Sequence, residues 1–319
     1  MNYGSLINTS NGTSTGGNAT APLNESAAPQ RREVGRFAEK PGIKAVRMAF
    51  KLLCKVSPTL AAHLTYQLLS RPPRAPERPW QRSLREQAHT TRLAHSSGLL
   101  SVYSWGDGPT VLMVHGWGAR ATHMGKLVKP LVEAGFRVVS FDAPGHGDSS
   151  GRTTDLVQFA SAVAAVAKFA GPIHTLIAHS FGVAMALYAR RDWGVTAERQ
   201  VLISSFDHCK WFTDAFAGYV GLEPAVMDQA RQLMVNRYDG RLDWERLSVV
   251  EMLRRTPEPT LILHDTDDLE IPFQHSLSLL QAAPLAQFHS TSGCGHHRLL
   301  GNSGVIERVV RFTSFHLTD

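Results

Sequence analysis

One serine in the chain sits where an ordinary alcohol could become a nucleophile. Ser180 stands in Ala178-His179-Ser180-Phe181-Gly182, between an apolar run, Ile173 to Ala178, and a helix-like run, Val183 to Tyr188. A serine at a sharp strand-to-helix turn lifts its hydroxyl above the end of a sheet and sets it near helix-starting amides, where negative charge is favoured. Such a turn strains the serine backbone and crowds its neighbours, so small residues are needed two before and two after it. Ala178 and Gly182 meet that need. A serine that merely caps a helix would occupy the same place, so other groups must decide between the two readings.

A nucleophilic serine needs a base to take its proton and a carboxylate to orient that base. Both occur downstream, in the order serine, acid, histidine. Thr260 to Leu263 is a β-rich run that breaks into His264-Asp265-Thr266-Asp267-Asp268-Leu269-Glu270-Ile271-Pro272, as a buried strand entering a loop does. Phe288-His289 leads into Ser292-Gly293-Cys294-Gly295-His296-His297, a strand followed by a glycine-rich turn carrying histidine. Acyl transfer also needs two backbone N–H donors aimed at the developing oxyanion. Phe181, directly after the serine, holds one of those positions. Trp117 holds the other, in the His115-Gly116-Trp117-Gly118 loop that follows the apolar run Val111 to Val114.

Taken together, these segments resemble the α/β-hydrolase superfamily. Its HG-x loop reads His115-Gly116-Trp117, its D-x-x-G-x-G-x-S loop runs from Asp142 to Ser149, and its nucleophile elbow is Ala178 to Gly182. Its acid loop reads Asp268-Leu269-Glu270-Ile271-Pro272 and its terminal G-x-G-H reads Gly293-Cys294-Gly295-His296. The likeness covers residues 85 to 317 and departs only at Ala178, where the pattern has glycine. It implies Ser180 as nucleophile, Asp268 as acid and His296 as base. Asp265 and Asp267 flank Asp268, but Asp268 has the family spacing to Ile271-Pro272; Asp267 is the next candidate. His297 adjoins His296, yet the family histidine directly follows G-x-G. His115, His146 and Asp142 are expected to brace their loops.

The resemblance implies no cofactor. The cluster of His264 with Asp265, Asp267 and Asp268 lacks a Cys/His pair of zinc spacing, so no metal is expected either. Serine at position 180, where dehalogenases and epoxide hydrolases of the superfamily carry aspartate, points away from those chemistries.

The elements that must position these groups follow from length and pattern. A chain of 319 residues, 43% hydrophobic, suffices for one large domain with a sizeable core. Alternating strand and helix signals predict an α/β-hydrolase fold: a mostly parallel central sheet with helices on both faces. Residues 1–40, poor in large apolar groups, read as a disordered tail. An N-terminal helical segment is expected at 41–75, and the hydrolase domain at 80–319. Asp207 to Pro259 is too long for a simple connection and reads as a helical cap insertion at about 207–259. Its Trp211, Phe212, Phe216, Tyr219 and Trp244 could line an apolar acyl pocket, or equally form core between cap and domain.

The net charge is +6 and the isoelectric point near 9.4. No motif interleaves basic and aromatic residues, which excludes nucleic acid as the expected partner. Some of the charge lies on Ile43 to Val56, where Lys44, Arg47, Lys51 and Lys55 fall on one helical face. That helix is expected to pack its apolar side on the neighbouring domain; the alternative lays the 41–74 helices on an anionic membrane. Neither a signal peptide nor an apolar run of membrane-spanning length is evident near the start or elsewhere. Three scattered cysteines, Cys54, Cys209 and Cys294, argue against a disulfide framework. The expected location is the cytoplasm, with membrane association as the variant.

The function expected from these residues is a serine hydrolase that cleaves a small or medium carboxylic ester through an acyl-enzyme. The same scaffold also serves thioesterases, lactonases and C–C bond hydrolases. A reading from another class is a catalytically silent relative that binds a small ligand or a partner protein. The oligomeric state is not legible in the sequence.

Overall fold

The structure is a computed structural model that describes residues 41–240 and 242–315; the tail expected at 1–40 lies outside the described residues. Two helices open it, α1 (Pro41–Val56) and α2 (Pro58–Leu69), separated by Ser57, whose hydroxyl caps α2. Helix α3 (Pro79–Glu86) leads into β1 (His89–His95) and β2 (Gly98–Trp105), then β3 (Thr110–Val114), α4 (Val128–Glu133) and β4 (Arg137–Phe141). Next come α5 (Leu156–Ala170), β5 (Ile173–His179), α6 (Phe181–Trp193) and β6 (Arg199–Ile203). Helices α7 (Cys209–Val220), α8 (Pro224–Arg237) and α9 (Val249–Arg254) precede β7 (Thr260–Asp265) and α10 (Gln274–Ala282). The described chain closes with β8 (Gln287–Thr291), α11 (Gly295–Arg298) and α12 (Ser303–Ser314).

The strands form an eight-stranded sheet in the order β1-β2-β4-β3-β5-β6-β7-β8. Pairings β1–β2 and β2–β4 are antiparallel, and every pairing from β4 to β8 is parallel. This is the α/β-hydrolase fold the sequence predicts. Strands β3, β5, β6 and β7 are buried along their whole length because helices cover both faces. Alternate residues divide between the faces: Leu112, Val114, Leu176 and Leu202 belong to one core, Val111, Met113, Ile177 and Val201 to the other.

Strand order reverses between β3 and β5, which pair as far as Val114 with Ala178. A crevice outside the carboxyl ends of such strands is where open α/β sheets place ligands. The loops after β3, β5, β7 and β8 all emerge at that edge.

Above it, α7 and α8 do not stand alone. Ala217, Val220 and Met227 from that pair join Phe50, Cys54, Ala61 and Ala62 of the N-terminal helices in a hydrophobic cluster separate from the two sheet cores. The segment between β6 and β7 and the α1–α2 hairpin therefore build one helical layer. Arg47 takes part in this: its guanidinium donates to the Tyr219 carbonyl at 2.8 Å and to that of Gly218, tying α1 to the end of α7. Its inward turn leaves Lys44, Lys51 and Lys55 as the exposed basic row of α1.

All three cysteines are free. No helix among the described residues is long and apolar enough to cross a membrane.

Candidate active site

Ser180 occupies the one-residue break between β5 and α6, with φ 58° and ψ −129°. A side-chain-bearing residue in this left-handed region is strained, and the surroundings must hold it there. They do so through packing and hydrogen bonding. The Ser180 amide donates to the Ile203 carbonyl of β6 at 2.8 Å. A Cβ on Gly182 would lie 2.4 Å from the His115 carbonyl oxygen and 2.6 Å from that of Val114, so α6 can start this close to β3 only with glycine there. A Cβ on Gly116 would lie 3.0 Å from the Ser180 Cβ, which measures how tightly the loop after β3 crosses the serine.

Three distant segments meet at this turn. Ser180 Oγ lies 2.9 Å from His296 Nε2, and His296 Nδ1 lies 2.7 Å from Asp268 Oδ2. A carboxylate only accepts, so Nδ1 carries the hydrogen and Nε2 is left to accept the serine hydroxyl. Asp268 Oδ1 accepts the backbone amides of Glu270 and Ile271, each at 2.9 Å, which fixes the carboxylate plane. Burial alone would push the Asp268 carboxyl up, but hydrogen bonds from His264 and His296 and the neighbouring His296 hold it well below the usual carboxylate range.

The flanking candidates do other things. Asp265 accepts from the Thr291 hydroxyl at 2.6 Å and from the Cys294 amide at 3.0 Å. Asp267 accepts from the Ser292 hydroxyl and the Gly293 amide, both at 2.7 Å. The two therefore lash the end of β7 to the segment that leads into α11 and His296, and only Asp268 turns toward the imidazole. His297 points away, to Glu270 at 3.0 Å.

Trp117 and Phe181 flank the serine on the other side. Phe181 begins α6, so its amide is one of the helix's unpaired N–H groups. No acceptor among the described residues takes that hydrogen or the one on the Trp117 amide. Their rings also meet, 5.2 Å apart, and Phe212 of α7 lies 4.9 Å from Phe181. With Leu69, Leu156 and Met234, and with Asp155 and Thr213 at its edge, these aromatics line a small, mostly apolar cleft. Of the five insertion aromatics, Phe212 alone lines it among the described residues: Trp211 and Trp244 pack on the sheet core, and Phe216 and Tyr219 on the helical layer.

The bracing expected of His115, His146 and Asp142 extends between loops. His115 Nε2 accepts the Ala143 amide at 3.1 Å, and His146 Nε2 accepts the Gly118 amide at 3.0 Å. Asp142 accepts the amides of Ala121 and Asp148, each at 2.8 Å. The loops after β3 and β4 are thus one hydrogen-bonded unit, and burial keeps both histidines neutral by pushing their pKa below 6.5.

Three neighbours were not singled out as site residues from the sequence. His264 Nε2 lies 3.3 Å from Asp268 Oδ2 and 3.0 Å from the Ile271 carbonyl. His179, buried beside Ser180, reaches the His296 carbonyl through Nε2 at 3.1 Å. Glu270 Oε2 lies 3.9 Å from His296 Nε2. The only signal for His264 was its place at the end of a buried strand, four residues before Asp268.

The alpha/beta hydrolase family model matches residues 111–308. A bifunctional esterase/perhydrolase from Acinetobacter calcoaceticus is 28% identical over 221 residues, covering 54% of this chain and 79% of that one. The 2-hydroxymuconate semialdehyde hydrolase of a Pseudomonas strain is 26% identical over 256 residues, covering 67% of this chain and 87% of its own. Among solved structures, an esterase from Pyrococcus furiosus superposes with a TM-score of 0.60 at 17% identity, covering 77% of this chain and 97% of that one.

Proposed function

Since the chain belongs to the alpha/beta hydrolase family, we propose that it is a serine hydrolase that cleaves a small or medium carboxylic ester through an acyl-enzyme. The observation that carries this reading is the unbroken hydrogen-bond relay from Ser180 Oγ through His296 to Asp268. Ser180 Oγ attacks the ester carbonyl carbon while His296 Nε2 takes its proton, and Asp268 stabilises the imidazolium that forms. The carbonyl oxygen gains the negative charge and is held by the Trp117 and Phe181 amides. Collapse of this intermediate breaks the bond to the alkoxy oxygen, which leaves as an alcohol with the proton from His296. Water, deprotonated by the same imidazole, then attacks the acyl carbon, releasing the acid and restoring Ser180. Every group is supplied by the chain, so the reading calls for no cofactor.

The mostly apolar lining of the small cleft, with Phe181, Phe212 and Leu69, favours an apolar acyl group. The unpaired cysteines favour a reducing compartment, the cytoplasm. Turnover of p-nitrophenyl esters of increasing acyl length tests the reading. Short to medium chains should be hydrolysed, and Ser180→Ala should lose a factor on the order of 10⁴ or more. Esters left intact while a thioester, a lactone or a C–C dienone substrate turns over would move the reaction to that class. Inertness toward all of them would support a silent binding relative.

A further inference from the structure

We propose that the α1–α2 hairpin is a docking surface for an anionic lipid bilayer. Of the fourteen exposed large hydrophobic residues among the described ones, seven lie on these two helices. On α1, Met48, Leu52 and Val56 are 73%, 64% and 75% exposed and recur every fourth residue, so they form one outward row. Phe50 and Cys54 occupy the opposite, buried side, where they pack into the helical layer. On α2, Leu60, Leu64 and Leu68 repeat the spacing, and each is at least 43% exposed. A helix apolar on two opposed faces has one face too many for its own fold.

Charge identifies the occupant. Residues 41–74 contain six lysines and arginines and no aspartate or glutamate. With Arg47 turned inward to α7, the exposed Lys44, Lys51 and Lys55 lie, by helical spacing, in a stripe beside the Met48–Val56 row. An apolar row bordered by lysines matches the two layers of an anionic membrane surface, acyl boundary and phosphate. A second copy docked through this same face would set lysines against lysines, which opposes a symmetric dimer as the occupant. Leu69, the last residue of α2, lines the cleft beside Phe181, so the docking surface and the cleft share an element.

Flotation of the full chain with vesicles tests this without any turnover. The wild type should float with phosphatidylcholine–phosphatidylglycerol vesicles at low salt, far less with pure phosphatidylcholine, and be released by high salt. Lys44→Gln/Lys51→Gln/Lys55→Gln and, separately, Met48→Gln/Leu52→Gln/Val56→Gln should each weaken partitioning by at least about tenfold. Circular dichroism melting identifies a variant that fails to fold, and the salt and lipid dependence of the wild type needs no variant. Ser180→Ala should float like the wild type, so a failed hydrolytic reading leaves this one intact. A wild type that floats with neither vesicle, or variants that float equally well, would overturn the proposal. So would a dimer in light scattering that the apolar variant dissociates, since the face would then join two copies of the chain.

Discussion

His264 Nε2 lies 3.3 Å from the same Asp268 oxygen that receives His296 Nδ1 at 2.7 Å. Two imidazoles thus converge on one buried carboxylate atom, while the other oxygen is occupied by backbone amides. His264 is fully buried, and its Nε2 also faces the Ile271 carbonyl, so that nitrogen carries its hydrogen.

His264 is therefore expected to act through Asp268 and not on the substrate. A hydrogen bond to an ionised carboxylate contributes about 1.5–3 kcal/mol, so His264→Ala should lower kcat roughly ten- to a hundredfold with KM little changed. Asp268→Asn, which puts the imidazole in the wrong tautomer, should cost about 10⁴ in kcat. Steady-state kinetics of both variants checks the ranking; equal losses would place His264 in direct contact with the reaction.

Stability should fall as the medium is acidified from neutral pH. Burial, first, and neighbouring positive charge hold His123 down at about 4, below its ordinary 6.5, and burial likewise depresses His115, His146 and His179. Below about pH 6.5 the unfolded chain binds protons that the folded chain refuses, so unfolding is favoured progressively until the folded values are reached. Asp268 acts lower still: its depressed carboxyl stabilises the fold above the ordinary carboxylate value near 3.8, and that contribution is lost only as pH drops beneath it. His297 has the opposite sign. Its hydrogen bond to Glu270 raises its pKa, so its contribution is present below 6.5 and disappears as pH rises past the folded value. Melting temperatures from pH 8 to 4 should decline, and His123→Asn should decline less steeply between 6.5 and 4.

Gly182 should tolerate no side chain. A Cβ there meets two backbone carbonyl oxygens at 2.4 and 2.6 Å, and neither can move without shifting β3. Gly182→Ala should destabilise the protein by at least about 2 kcal/mol, the range of overpacked cores. Urea unfolding measures it, and an unchanged midpoint would mean that β3 and α6 are less tightly apposed. Gly171, with nothing within 4 Å of a Cβ, is the spatial control, although its φ of 83° makes any substitution there strained for another reason.

How much of this was legible in the sequence depends on whether local or distant forces set each feature. The strand-to-helix turn at Ser180 and the buried strands carried strong local signals, since β-branched runs and small residues act over a few positions. The antiparallel start of the sheet was not legible: β1 is half exposed and its Thr90-Thr91-Arg92 run lacks a clear apolar alternation. The acid loop shows the limit best. The spacing to Ile271-Pro272 singled out Asp268, but the roles of Asp265 and Asp267 were hidden, because the donors that occupy them lie some 25 to 29 residues further along. The partner of Arg47 was hidden for the same reason. The arginine's helical spacing fits the lysine row, but the carbonyls that draw it inward belong to α7, far along the chain.

The most direct test of the central claim is to treat the protein with a fluorophosphonate and locate the adduct by peptide mass spectrometry. Attack by an activated Ser180 predicts one covalent phosphonyl group, on the peptide containing Ser180, and none in Ser180→Ala. An adduct on another residue, or a protein that remains unlabelled under conditions that modify a known serine esterase, would contradict it.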